Sequence, residues 1–468
     1  MSHSCPAVAR RAIRADLLDF VGDPGLGAPN EAAVRFRPDH WLLIDGGRIA
    51  GALPGDQPPG ADWLREDLSG RLLLPGFIDT HVHSAQLDVI ASFGTELLDW
   101  LERYTFPAEA RHADAAHAQQ HAESFVETLL AHGTTAAVVF PTVHVTSTDA
   151  LFQAARTRGM RLIAGKVLMD RHAPDDLRDD VIQAERDCEA LIARWHGVDR
   201  LAYAVTPRFA VTSTPAQLDM AGALLQRHGG LYMQTHVAEN RAEVAWVAQL
   251  FPEARSYLDV YHRHGLLTER AVLAHGIWLD DTDRTLLADT GAQIAHSPSS
   301  NLFLGSGLFD WQALQAAGAR VSMATDVGGG TGLSMLRTLA DAYKMQALRG
   351  VKLNAFKALH TATRAAAQAL GLEREIGSLE DGRMADVTVW DWSSGVVARH
   401  RDKLARDLHE RLFAWMMLGD ERNLVATLVA GHTKYKRPDE DLGALPPGRP
   451  KATASPRGAV AAGVSGAR

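Results

Sequence analysis

Two cysteines, Cys5 and Cys188, are too few among 468 residues for a disulfide framework or a thiolate-built zinc centre. So low a thiol content suits a reducing cytoplasm. No apolar run approaches the roughly 20 residues that a membrane-spanning helix needs, which argues against a membrane partner. Arg10-Arg11 resembles the start of a twin-arginine leader. Asp16, Asp19 and Asp23 interrupt the residues after it, however, and leave neither an apolar segment nor a small-residue cleavage site, so the chain reads as unprocessed and cytoplasmic. Positive charge is also short. A formal net charge of −8 and a pI near 6.2 give no electrostatic footprint for nucleic acid. With 46% hydrophobic and 22% charged residues, the chain can bury the cores of one large domain and a smaller one.

The patterns that are present fall in a clear order. Residues 13 to 51 are β-rich, with Asp45-Gly46-Gly47 between apolar runs as a hairpin signal. A Pro- and Gly-rich loop spans 54 to 60. From Leu72 a strand, loop and helix pattern repeats. Its eight short apolar strands begin with Leu72 to His83 and continue at 134–140, 161–169, 201–208, 231–236, 271–275, 292–296 and 320–326. Eight such alternations predict an α/β fold whose parallel strands close into a (β/α)8 TIM-like barrel. Helical patterns at about 334–349 and 354–371 complete the last unit. β character then returns at 376–390 and 424–432. The two β-rich ends are expected to pair into a small β-sandwich domain, with a helical insertion in its second part. The expected divisions are 1–70 and 373–436 for that domain, 71–372 for the barrel and 437–468 for a disordered tail rich in Pro, Gly and Ala.

The polar residues of the strand ends carry the chemistry. In an extended chain, side chains at i and i+2 share a face, so His81 and His83 project together from the end of the first strand. Arg208 ends the fourth strand, His236 the fifth, His275 the sixth and Asp326 the eighth. In a barrel these ends face one another across a pocket. One buried histidine is an ordinary core residue; four histidines and an aspartate at strand ends point to a metal. Nitrogen and carboxylate donors without thiolate suit Zn²⁺ or Fe²⁺ and do not choose between them. Bound zinc can lower the pKa of a water ligand to about 7. Glu239, just beyond the fifth strand in His236-Val-Ala-Glu239, is placed to move a proton between that water and a substrate. A carboxylate at a helix N-terminus is the alternative role for it.

Phe77-Ile-Asp-Thr-His-Val-His83, His236, His275 and Ala324-Thr-Asp326 resemble the amidohydrolase superfamily. More narrowly, His83-Ser-Ala-Gln86, Leu97 to Pro107, Gly165 to Asp170, Thr206-Pro-Arg-Phe209, Ser299 to Leu302 and Thr325 to Gly329 resemble the guanine deaminase family. The resemblance covers the chain to about residue 436. It implies His81, His83, His236 and Asp326 as ligands of one Zn²⁺ per chain, with Fe²⁺ not excluded. It implies His275 as a hydrogen-bond partner of the attacking water, Glu239 as the proton shuttle and Asp326 as a second proton acceptor. Gln86, Arg208 and Phe209 match the positions that bind guanine, and a homodimer is implied as well. The expected reaction is hydrolysis of guanine to xanthine and ammonia, a step of purine catabolism. The cysteine-ligated deaminase design, with His-x-Glu and Pro-Cys-x-x-Cys, is absent. Lys166 lies on the third strand and receives no metal-bridging role; Trp100 is left outside the site. Related purine, pterin or triazine amines are alternative substrates, and a non-catalytic barrel scaffold is the alternative from another class.

Overall fold

The computed structural model describes residues 10–93 and 97–438. The tail expected to be disordered lies almost wholly outside the described residues. Sixteen strands are found in chain order among them. β1 (Arg11–Phe20), β2 (Val34–Asp45), β3 (Arg48–Pro54) and β4 (Leu64–Pro75) come first. β5 (Phe77–His83), β6 (Thr134–Phe140), β7 (Arg161–Ala164), β8 (Val167–Leu168), β9 (Leu201–Pro207), β10 (Tyr232–Val237), β11 (Ala271–His275), β12 (Gln293–His296) and β13 (Arg320–Met323) come next. The last are β14 (Val387–Trp390), β15 (Leu424–Val429) and β16 (His432–Lys436).

Eight of these strands pair in the order β5-β6-β7-β9-β10-β11-β12-β13, with parallel neighbours throughout, and helices come after most of them. β5, β6, β9 and β11 are buried along their whole length, as parallel strands covered on both faces must be. The barrel interior is filled by Ile78, Val138, Ile163, Ala204, Tyr232, Val272 and their neighbours. The last and first strands meet through hydrogen bonds from Thr80 Oγ1 to the Met323 carbonyl (2.9 Å), from Asp326 N to the His81 carbonyl (2.9 Å) and from His83 N to the Val327 carbonyl (2.8 Å). Buried Asp79 ties the same seam, accepting from Thr325 N and Oγ1 and from His81 N. Burial pushes its carboxyl up to about 6 against those donors.

The chain ends form one seven-stranded mixed sheet, ordered β16-β15-β14-β4-β1-β2-β3, with its own apolar core around Ile13, Leu42, Leu73, Val387 and Leu428. Gly46 and Gly47 turn the β2–β3 hairpin with φ of 56° and 78°, which a side chain tolerates poorly. Arg11 of the twin-arginine pair lies in β1, where its guanidinium bonds Glu66 (2.7 Å).

Two boundaries differ from the sequence reading. The apolar run from Leu72 to His83 is two strands in two sheets: β4 ends at Pro75 and β5 starts at Phe77. Gly76 lies between them, where a Cβ would fall 2.1 Å from Thr135 Oγ1 and only glycine fits. The third barrel strand breaks at Gly165-Lys166, and only its first part, β7, stays in the continuous ladder.

Candidate active site

The ends of β5, β10 and β11 and the turn after β13 bring the expected metal donors together. One donor atom each from His81, His83, His236 and Asp326 lies within 4.8 Å of the others. His83 Nε2 is 3.1 Å from His236 Nε2, and Asp326 Oδ1 is 3.1 Å from His81 Nε2 and 3.5 Å from His83 Nε2. The tautomer of His236 is set by its surroundings. Its Nδ1 lies 2.7 Å from the Arg208 carbonyl, which can only accept, so Nδ1 carries the proton and Nε2 offers a lone pair. His81 Nε2 is buried and makes no hydrogen bond despite facing Asp326. Burial drives the imidazole of His83 down to about 3, and with repulsion from its neighbours holds that of His236 well below the usual range, so both are neutral near pH 7. Burial works against the charge of Asp326, but the imidazoles around it, His81 first, outweigh that and hold the carboxyl well below the usual range. Converging lone pairs, one buried carboxylate and an unpartnered nitrogen fit a divalent cation.

A second group stands beside the first. His275 Nδ1 contacts Asn301 Oδ1 (2.8 Å), which aims Nε2 at Glu239 Oε2 (3.4 Å) and Asp326 Oδ2 (3.6 Å). His275 and Asp326 have left-handed backbone, with φ of 72° and 50°. That conformation costs about 1 kcal/mol or more per non-glycine residue and is kept where a side chain must be aimed. Glu239 is buried, and Ser306 Oγ donates to its Oε1 (2.9 Å). Desolvation, with repulsion from Asp326, pushes its carboxyl up to about 8. Glu243 behind it is pushed up to about 7 by burial and by Glu239; it caps its helix through the amides of Glu239 and Asn240 (both 3.0 Å).

His83, His236, Glu239, Glu243, His275 and Asp326 line one cavity with Gln86, Arg208 and Phe209, walled by Leu97, Trp100, Leu101 and Leu304. Trp100 thus lines the space that the sequence reading left it outside. Lys166 is turned away to Asp179 and the Val167 carbonyl. Behind the cavity Glu109, fully buried, accepts from Gln86 Nε2 (3.0 Å) and from Arg208 Nη1 at both oxygens (2.8 and 2.7 Å). Sequence reasoning passed over Glu109, Glu243, Asn301 and Ser306. Glu243 had a signal, since Asn240-x-x-Glu243 is a capping box. Glu109 comes directly after Phe106-Pro107-Ala108, and an acidic residue in so apolar a turn invites a buried partner.

Comparison with known proteins places these features in context. The sequence profile described as "Amidohydrolase family" matches residues 72–434. Guanine deaminase of Escherichia coli K12 is 40% identical over 432 residues, covering 91% of this chain and 98% of that protein. The solved structure of an E. coli guanine deaminase matches with a TM-score of 0.88 over 91% of this chain and all of that one. A probable guanine deaminase of Deinococcus radiodurans is 45% identical over 327 residues, covering 69% of this chain and 74% of its own. A C. acetobutylicum guanine deaminase, solved with guanine in its active site, is 26% identical, with a TM-score of 0.81 over 91% of this chain and 99% of that one.

Proposed function

The chain belongs to the amidohydrolase family, and from that premise we propose that it hydrolyses guanine to xanthine and ammonia, a step of purine catabolism. The observation that carries this reading is one cavity lined by His83, His236 and Asp326 of the four-donor group, an acid with a raised pKa and the Gln86–Arg208–Phe209 set. His81, His83, His236 and Asp326 would hold a divalent ion, which would supply hydroxide at neutral pH by acidifying a water; the nitrogen and carboxylate set suits zinc, with ferrous iron as the alternative.

The residues of the chain do the rest. Arg208 and Gln86 hold the base so that C2 faces the water, while Phe209 lies against the ring. Arg208 offers donors to acceptors such as O6 and N7. Asp326 and His275 orient the water by hydrogen bonds, and Asp326 takes a proton from it as it adds to C2. Glu239 delivers its proton to N3, takes up the proton of the C2 hydroxyl as the carbonyl forms and passes it to the amino group as ammonia leaves; the proton held by Asp326 then restores Glu239. With its pKa pushed up to about 8, the carboxyl is the neutral acid at pH 7 and already holds the proton for the first transfer.

Spectrophotometric conversion of guanine to xanthine, with ammonia measured alongside and a chelator-treated control, tests the reaction. Bound metal with untouched guanine would sink the substrate assignment. A homodimer is supported by the family resemblance and is tested by light scattering. A cytoplasmic location is supported by the scarcity of cysteine, with Cys188 buried and unpaired. Among the described residues no helix is long and apolar enough to cross a membrane.

Arg208→Ala should lower kcat/KM for guanine about 10²-fold, the scale of hydrogen bonds lost to a charged group. Metal content should persist, because the contact with His236 comes from the backbone carbonyl of residue 208, which alanine keeps. Parallel loss of metal and turnover would make the residue structural.

Ser306→Ala removes the side-chain donor found for the Glu239 carboxylate among the described residues. That bond favours the ionised form, so its loss raises the Glu239 pKa further. The limb of the kcat–pH profile governed by Glu239 should move to higher pH. A profile unchanged within error would mean that Glu239 does not set that limb.

A further inference from the structure

Arg208 and Gln86 do not hold their own positions. Among the described residues Arg208 bonds through Nη1, against both oxygens of Glu109 (2.8 and 2.7 Å). Nε and Nη2 have no partner among the described residues and remain for a ligand. Gln86 is fixed at both ends of its amide. Nε2 donates to Glu109 Oε1 (3.0 Å), and Oε1 accepts from Gly328 N (3.0 Å). A carboxylate there can only accept and a backbone N–H can only donate, so the amide cannot flip without making two repulsive contacts. All three side chains are at most 3% exposed, and the ring of Phe106 lies 5.4 Å from the Arg208 guanidinium carbon. Glu109 itself is absent from the lining of the cavity that the other two face.

We propose that Glu109 is the positioning residue that makes the Arg208–Gln86 pair a reader of the 6-oxo edge of the purine. The proposal rests on the guanine deaminase reading. A guanidinium pinned through one nitrogen presents donors in a fixed direction, and it needs acceptors there. A 6-oxopurine supplies O6 and N7. A 6-aminopurine turns one of those positions into a donor facing a donor, and a site built on buried hydrogen bonds rejects such an analogue strongly. Glu109 therefore contributes to selectivity between bases as well as to binding, without touching either.

The test compares wild type, Glu109→Gln, Arg208→Ala and the double variant in kcat and KM, on guanine and on 2,6-diaminopurine, with metal content measured for each. Glutamine keeps the shape of Glu109 but replaces one acceptor by a donor. The expected result for Glu109→Gln is about a tenfold rise in KM for guanine, the scale of one charged hydrogen bond. The change in kcat should be smaller, with metal content as in wild type. The ratio of kcat/KM for guanine over 2,6-diaminopurine should fall about tenfold. In the Arg208→Ala background the same change should add little, because Glu109 acts through Arg208. An unchanged ratio, additive losses in the double variant, or losses that track metal content would each overturn the proposal. Should Glu109→Gln fold poorly, Glu109→Asp keeps the charge on a shorter arm and must show the same fall in ratio. Wild type inactive on guanine but loaded with metal would instead refute the guanine reading.

Discussion

Glu239→Gln is expected to lower kcat for guanine about 10³-fold, within the range that general acid–base catalysis contributes. The change is nearly isosteric, and the amide oxygen can still accept from Ser306 Oγ, now 2.9 Å from the carboxylate. What it loses is the ability to take and give a proton. Burial and the charge of Asp326 push the acid up to about 8, so below that pH the carboxyl carries its proton and above it the proton is lost. Glutamine has neither state to offer. Metal content and KM should stay near wild type, because Glu239 is not among the four converging donors and stands on the opposite side of His275 from Asn301. Steady-state kinetics with parallel metal analysis decide the matter. A kcat within tenfold of wild type at full metal loading would remove Glu239 from proton transfer.

The legibility of this chain depends on the length scale of each constraint. Strand ends were legible because period-two alternation and apolar runs are local, and they placed His81 and His83 together on one strand end and His236, His275 and Asp326 on three others of one barrel. The division at Gly76 was hidden, since the end of β4 and the start of β5 form one apolar run, and the approach of Thr135 that demands glycine there comes from far along the chain. Gly165 is a similar case: a Cβ there would fall 1.7 Å from the Ala204 carbonyl, a contact between strands that the local sequence does not encode. Glu109 was hidden for an electrostatic reason. Its meaning depends on Gln86 and Arg208, 23 and 99 residues away, and the apolar turn before it hints at burial without naming those partners. Asn301 and Ser306 were equally mute, since each acts only by holding a group on another element.

The contrast between His236→Ala and His275→Ala bears on which histidines hold the metal and which serve the reaction. His236 has its Nδ1 proton committed to the Arg208 carbonyl and its Nε2 3.1 Å from His83 Nε2, so its lone pair points into the donor group. Its loss should drop bound metal from about one per chain to a small fraction of that, and turnover by more than about 10³-fold. Added Zn²⁺ should restore chelator-treated wild type and leave His236→Ala inactive. Since a tightly bound ion stabilises only the folded chain, chelation should also lower the melting temperature of wild type, and of the variant hardly at all. His275 instead aims Nε2 at the two carboxylates, 3.4 Å from Glu239 and 3.6 Å from Asp326, where it can steer a water and its proton. His275→Ala should therefore keep its metal and its response to chelator while losing turnover. Metal loss in both variants would make His275 a ligand; metal retained in both would move the ion away from the group of His81, His83, His236 and Asp326.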